Sequence, residues 1–284
     1  MSIIVRETSG PLGAIVHGLD LSIQLDRTEI AALRQEWLRN HLLIFPDQEL
    51  SNEDLERYTL YFGHFGVDPF FSPIDGHMNI VAIERKADEK APLFAESWHS
   101  DWSFQKVPPA GTCLYGITIP PVGGQTGFVN QHLAYEQMPY ALKSQIRDRI
   151  AIHSAATGYA PDGIYGDKPE EADRSMRIII SEEARATQRH PIVRRHPETG
   201  VEGIFGCIGY IIGIEGMPDD EARDLLTEVY EWQTREEFIY MHTWQKNMLV
   251  MWDNRSVIHR AFGGFDGHDR LLYRTTIAER VTQS

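Results

Sequence analysis

The 284-residue chain is poor in three things, and each absence narrows what it can do. It has only two cysteines, Cys113 and Cys207, which stand far apart and form no Cys-x-x-Cys pattern. Two free, buried thiols in a reducing cytosol are expected, rather than a disulfide. Positive charge is also scarce. Lys and Arg number 27 against 41 Asp and Glu, for a formal net charge of −14, and no basic run interrupts the balance. Phosphate binding draws most of its affinity from Lys and Arg, so neither nucleic acid nor an anionic membrane surface is an expected partner. No stretch is apolar over the length a bilayer span needs. The opening MSIIVRETSG has neither a basic leader nor a long apolar segment, so a cytoplasmic location is expected.

What is present is ordinary for a globular protein, with 42% hydrophobic and 24% charged residues. A chain of this size buries enough core to enclose a site without disulfides. No repeat or linker is visible, so residues 1–284 are read as a single domain. Short apolar stretches between Ile3 and Leu21, punctuated by Gly10, Gly13 and Gly18, predict strands and turns. Asp26 and Thr28 cap a helix predicted to run to about Asn40, and Ser51 starts a second one that ends near Gly63. HLLIFP, MNIVAIE, GTCLYGITI and TGFVN read as strands. His132 to Ile150 has helical spacing broken by Pro139. Residues 157–188 carry no periodicity and form a candidate lid, with Tyr159 and Tyr165 as its aromatic residues. PIVRRHPETGVEGIFG reads as a hairpin turning at Glu198-Thr199-Gly200, followed by a helix over 218–232. FIYMHTW, MLVMWDN, SVIHRAF and RLLYRTTIA close the chain as strands. Strands on both sides of a helical insertion predict a mainly β fold with helical decoration, a sandwich or barrel rather than alternating βα units.

Three strings carry chemistry. In WHSDW, His99 and Asp101 are two apart, so on an extended strand both side chains leave the same face. MWDNRSVIHR supplies a third donor, His259. Two imidazoles and a carboxylate on one face suit a non-haem iron oxygenase, but a catalytic zinc hydrolase uses similar donors. In RLLYR, Arg270 and Arg274 are four apart and share a strand face with Leu272. Buried guanidinium groups need an anionic partner, which implies a carboxylate-bearing ligand held by a two-donor fork.

WHSDWSF, PPVGGQTGF, RRHPETG, VMWDNRSVIHRAF and RLLYRTTI, in that order, resemble the taurine dioxygenase/2,4-dichlorophenoxyacetate dioxygenase family. PLGAIVHGLDLS resembles its opening strand and turn. The likeness runs from about Gly10 to Thr276 and implies a double-stranded β-helix (jelly-roll) core. It also implies Fe(II) at His99, Asp101 and His259, with 2-oxoglutarate and O₂ as co-substrates. Thr126 and Arg270 match the residues that meet the distal carboxylate of 2-oxoglutarate. Arg274 matches an arginine that reaches the sulfonate of taurine, and Trp102 falls where substrate contacts are made. An anionic, partly apolar substrate is the expectation, with hydroxylation as the reaction; desaturation or ring closure are alternatives. The taurine enzyme's sulfonate-binding histidine falls near Pro73, where no histidine stands, so the likeness does not extend to taurine itself. Phe70, Phe71, Trp102 and Phe104 suggest a bulkier, apolar pocket, and each is equally suited to packing the core. Many relatives form dimers or tetramers, which makes a homo-oligomer the implied assembly.

Overall fold

The computed structural model describes residues 3–166 and 168–279. Strands β1 (Ile4–Glu7) and β2 (Ala14–His17) precede helix α1 (Arg27–Asn40), strand β3 (Leu42–Phe45), helix α2 (Asn52–Phe62) and strand β4 (Val81–Arg85). Then follow β5 (Gly111–Thr118), β6 (Thr126–Asn130), α3 (Gln131–Glu136), α4 (Tyr140–Ile146), β7 (Ile150–Ser154) and the single turn α5 (Ala156–Tyr159). The next elements are β8 (Thr187–Pro191), β9 (Val193–Arg195), β10 (Glu202–Ile204), β11 (Ile211–Ile214) and α6 (Asp219–Gln233). The chain closes with β12 (Ile239–His242), β13 (Leu249–Asp253), β14 (Val257–Ala261) and β15 (Arg270–Ile277).

The helix starts follow from side-chain chemistry. Asp26 accepts hydrogen bonds from the Thr28 and Glu29 amides while Glu29 reaches back to the Asp26 amide, so α1 opens on a closed capping box. Ser51 and Asp54 repeat the device for α2. The stretch from His132 departs from its expected extent. Pro139 does break the helix, but α4 stops at Ile146 and Ile150 already begins β7. Its apolar spacing served two elements on one core rather than one long helix.

The main sheet has the order β1-β2-β3-β13-β5-β15-β4, and β12-β6-β14 forms a smaller sheet. β13 shows how the two pack. Leu249 and Met251 face α1 and α2, in a cluster with Trp37, Tyr58 and Phe62. Val250 and Trp252 point the other way and meet Phe128, Val257 and Trp244 of the smaller sheet and its flank. The two-residue period therefore divides one strand between two cores. On the outer side of the smaller sheet, Val129 and Ile258 pack on α3, α4 and α6. Both cysteines are buried and free.

The RRHPETG hairpin turns as expected, with β9 paired antiparallel to β10, and a buried charge network fastens it to the WDNR segment. Arg255 holds Asp253 through two bonds of 2.7 and 2.8 Å and also reaches Glu198 at 2.8 Å, while His196 Nε2 lies 3.1 Å from Asp253.

Candidate active site

β14, the edge of the smaller sheet, supplies the first donor. His259 stands opposite Phe128 of β6 and packs against the Trp252 ring at 4.6 Å. The incoming WHSDW segment adds one bridge to this edge. The His99 amide donates to the His259 carbonyl at 3.0 Å, and the His259 amide returns the bond at 2.8 Å. Bridged residues lie side by side on one sheet face, which brings the imidazole centroids to 4.3 Å.

The expected extended strand through His99 and Asp101 is not what forms. Only His99 makes a bridge, and the chain then turns, with Trp102 in the left-handed region at φ 50°. Asp101 stands at the start of that turn, with its carboxylate beside both imidazoles. Its Oδ1 lies 3.8 Å from His99 Nε2 and 3.9 Å from His259 Nε2. These gaps are too long for hydrogen bonds between the groups. All three donor atoms fall within 4.8 Å of one another; Asp101 and His259 are buried, and the His99 side chain is nearly so.

The surroundings orient each donor. His99 Nδ1 meets the Ser97 carbonyl at 2.9 Å, which leaves Nε2 as its free lone pair. Thr112 donates to Asp101 Oδ2 at 2.6 Å and accepts from Asn254 Nδ2 at 2.9 Å, while the Trp252 indole donates to Asn254 Oδ1 at 2.8 Å. That relay turns Oδ1 toward the histidines. Burial pushes His259 down to about 3, with His99 beside it acting in the same direction against Asp101. Burial also lowers His99, opposed by Asp101. Burial would raise Asp101, but His259, Arg274, His99 and the Thr112 hydroxyl outweigh it and hold the carboxyl below its usual range. Neutral imidazoles beside an ionised carboxylate are the states in which such groups bind a metal. Lone pairs that converge without hydrogen-bonding one another fit a divalent cation.

A cavity with about 670 Å³ of space, its mouth included, opens on the triad. Thr126, Arg270 and Arg274 line it together with His99, Asp101 and His259. β15 turns Arg270, Leu272 and Arg274 to the buried side and leaves Leu271 and Tyr273 partly exposed. Both arginines therefore face inward, as their spacing predicts. Arg270 donates once, to the Gly124 carbonyl at 3.3 Å; its Nε has no partner, and no carboxylate among the described residues pairs with it. Burial alone pushes its guanidinium down to about 10. Thr126 Oγ1 accepts from the Trp244 indole at 2.9 Å, so its own hydrogen remains to be donated. A buried guanidinium without a counter-ion, next to a hydroxyl that has a proton to give, fits an anionic ligand such as a carboxylate.

Trp102 lies behind this wall rather than on it. It is 1% exposed, and its ring packs with Phe70, Phe71 and Phe104 in one buried cluster with Tyr159 and Tyr210. The four aromatic residues suggested for a pocket thus form a core beneath it. Residues 157–188 run from within α5 through two short 3-10 turns into the start of β8, and Arg174 and Met176 from this stretch line the cavity. Sequence reading missed Thr112, Asn254 and Trp244, whose roles depend on contacts 11 to 142 positions away. It also missed Asp68, whose Oδ1 accepts from the Trp102 indole and from Arg274 Nη2.

The family model for the taurine catabolism dioxygenase TauD, TfdA family matches residues 5–276. The chain belongs to the TauD/TfdA family. It is 37% identical over 264 residues to an alpha-ketoglutarate-dependent 2,4-dichlorophenoxyacetate dioxygenase of Burkholderia sp., covering 86% of this chain and 84% of that protein. It is 29% identical to an alkylsulfatase of Acinetobacter baylyi, covering 98% of this chain and 86% of that one. Among solved structures, a putative alpha-ketoglutarate-dependent taurine dioxygenase from Burkholderia xenovorans superposes with a TM-score of 0.81 at 29% identity, covering 99% of this chain and 94% of that chain. As a TauD/TfdA enzyme, the protein is an oxidoreductase acting on a small organic molecule with Fe(II), 2-oxoglutarate and O₂. Its two faced sheets are the family's jelly-roll. No helix among the described residues is long and apolar enough to cross a membrane.

Proposed function

We propose that His99 Nε2, His259 Nε2 and Asp101 Oδ1 hold the iron, and that Arg270 and Thr126 hold the distal carboxylate of 2-oxoglutarate. One observation carries this reading. The three convergent donors share a cavity with a buried guanidinium that has no counter-ion among the described residues. A zinc hydrolase would have no use for that second feature. When bound, iron and 2-oxoglutarate together supply oxidative decarboxylation to succinate and CO₂, coupled to oxidation of the primary substrate.

The protein's own part is placement. The Thr112–Asn254–Trp252 relay keeps Asp101 from rotating away, and the Ser97 carbonyl fixes the His99 tautomer. Arg270 and Thr126 fix one end of the keto acid at a set depth, so its other end meets the triad in a constant pose. Leu93, Phe94, Leu114, Met176 and Phe265 add apolar surface to a wall that also carries Glu84, Arg85, Glu89 and Arg174, and suit a partly apolar substrate. A second recess of about 780 Å³ shares Phe94, Ala95 and His99 and is ringed by Tyr159, Tyr165, Tyr210 and Tyr230. It gives the body of such a substrate room beside the metal position. Hydroxylation is the proposed outcome, and the assembly is proposed to be a homo-oligomer.

The experiment is anaerobic addition of Fe(II) and 2-oxoglutarate, followed by oxygen and a panel of small organic compounds. A visible charge-transfer band and substrate-stimulated succinate release are expected. Absence of the band at saturating 2-oxoglutarate would refute the assignment of the site. Light scattering on the purified protein tests the assembly, and a monomer would refute it.

A further inference from the structure

The two buried arginines of β15 are not equivalent. Arg270 has no carboxylate partner among the described residues, whereas Arg274 is already matched. Its Nη2 donates to Asp68 Oδ1 at 2.8 Å, and its Nη1 lies 3.8 Å from Asp101 Oδ1. Its guanidinium also sits over the Phe71 and Trp102 rings, at 4.8 and 5.1 Å. Asp68 is in turn held by a second donor, the Trp102 indole, and its side chain is only 12% exposed. A carboxylate anchored by two donors in so closed a place resists displacement, because leaving would strand a buried cation. The other charged residues of the wall are also paired, Arg85 with Glu89, Arg174 with Glu171, and Glu84 with Lys86.

With Fe(II) and 2-oxoglutarate seated as proposed above, the charges around the cavity balance. The metal, Arg270 and Arg274 face Asp101, Asp68 and the two carboxylates of the keto acid. A carboxylate, sulfonate or sulfate on the primary substrate would find no free cation and would approach Asp68. In a poorly hydrated pocket, an uncompensated charge beside one of like sign is strongly disfavoured. Arg274 still has an N–H to offer, since its Nε has no partner. A neutral oxygen could take that bond without disturbing the balance.

We infer that Asp68 is a specificity-determining residue: it cancels the Arg274 charge, so the primary substrate presents a neutral, oxygen-bearing group to that wall rather than an anionic one. This rests on the proposed function and deepens it. Sequence alone suggested an anion at Arg274; the partner that occupies that arginine comes from 206 positions away.

The test uses the full chain loaded anaerobically with Fe(II) and 2-oxoglutarate. Benzoate, methanesulfonate and methyl sulfate are titrated in, and perturbation of the charge-transfer band reports binding without turnover. Asp68→Asn and Asp68→Ser both remove the charge and keep an acceptor for the Trp102 indole, so a folding failure in one leaves the other. The wild type is expected to bind these anions at least about tenfold more weakly than the Asp68 variants, roughly 1.4 kcal/mol. Adding Arg274→Met to either variant should erase the gain, which separates a freed guanidinium from a merely enlarged pocket. Equal anion binding by wild type and folded Asp68 variants overturns the inference, as does binding by neither. Loss of the band in the wild type would instead refute the proposed function itself.

Discussion

Replacing Arg270 by Met should move stability and ligand affinity in opposite directions. In the ligand-free protein, the guanidinium is buried with one long hydrogen bond to Gly124 and no carboxylate partner among the described residues. Its depression to about 10 corresponds to roughly 3 kcal/mol of unrelieved desolvation. Methionine fills similar space without a charge, so the ligand-free variant should be more stable by about 1–3 kcal/mol. The 2-oxoglutarate site loses a charge-assisted fork at the same time. Truncating one partner of a buried charged pair costs about 2–4 kcal/mol here, or roughly 30- to 1000-fold in affinity. Two measurements read this out: anaerobic titration of 2-oxoglutarate into the Fe(II) protein, and thermal melts with and without the keto acid. The wild type should gain stability with added 2-oxoglutarate, and the variant should not. A variant that binds 2-oxoglutarate within threefold of wild type would refute the assignment of Arg270. A ligand-free variant less stable than its parent would refute the claim that the charge lies there uncompensated.

Other expectations concern the metal, the charge network and the segment over the cavity. Asp101→Ala and His259→Ala should each abolish iron-dependent succinate formation, and appreciable turnover in either purified variant would remove that residue from the ligand set. Asp253 is opposed by burial but held well below the usual carboxylate range by Arg255 and His196. Its stabilisation is therefore present above the unfolded value near pH 4 and fades as pH falls toward the depressed folded value. Asp253→Asn should cost about 3 kcal/mol at pH 7 by chemical denaturation, with the gap to wild type narrowing below about pH 4. A pH-independent gap would count against the network. Residues 157–188 should become more resistant to limited proteolysis when iron, 2-oxoglutarate and a substrate are present, and unchanged cleavage would argue against a lid.

Much of this was legible in the primary structure because it depends on local periodicity. The alternation of Arg270, Leu272 and Arg274 placed both guanidinium groups inward, and β15 buries all three. Asp26, Ser51 and Pro139 marked helix boundaries through chemistry that acts within a few residues. Spacing alone implied an extended WHSDW, whereas the chain leaves its single bridge at His99 and turns from Asp101 onward, with the Asp101 carboxylate still close to both imidazoles. The Trp102 side chain that follows is buried among aromatic residues and bonded to Asp68, contacts that only the packed chain decides. Likewise Thr112, Asn254 and Trp244 are unremarkable as letters, and become orienting groups because the sheets bring distant strands within hydrogen-bond range. Residue type and period thus picked out the groups proposed to bind metal and keto acid. Tertiary structure decided which of them were left without partners, and so which of the two arginines still carries an uncompensated charge, because hydrogen bonds and ion pairs act over a few ångströms in space whatever the separation along the chain.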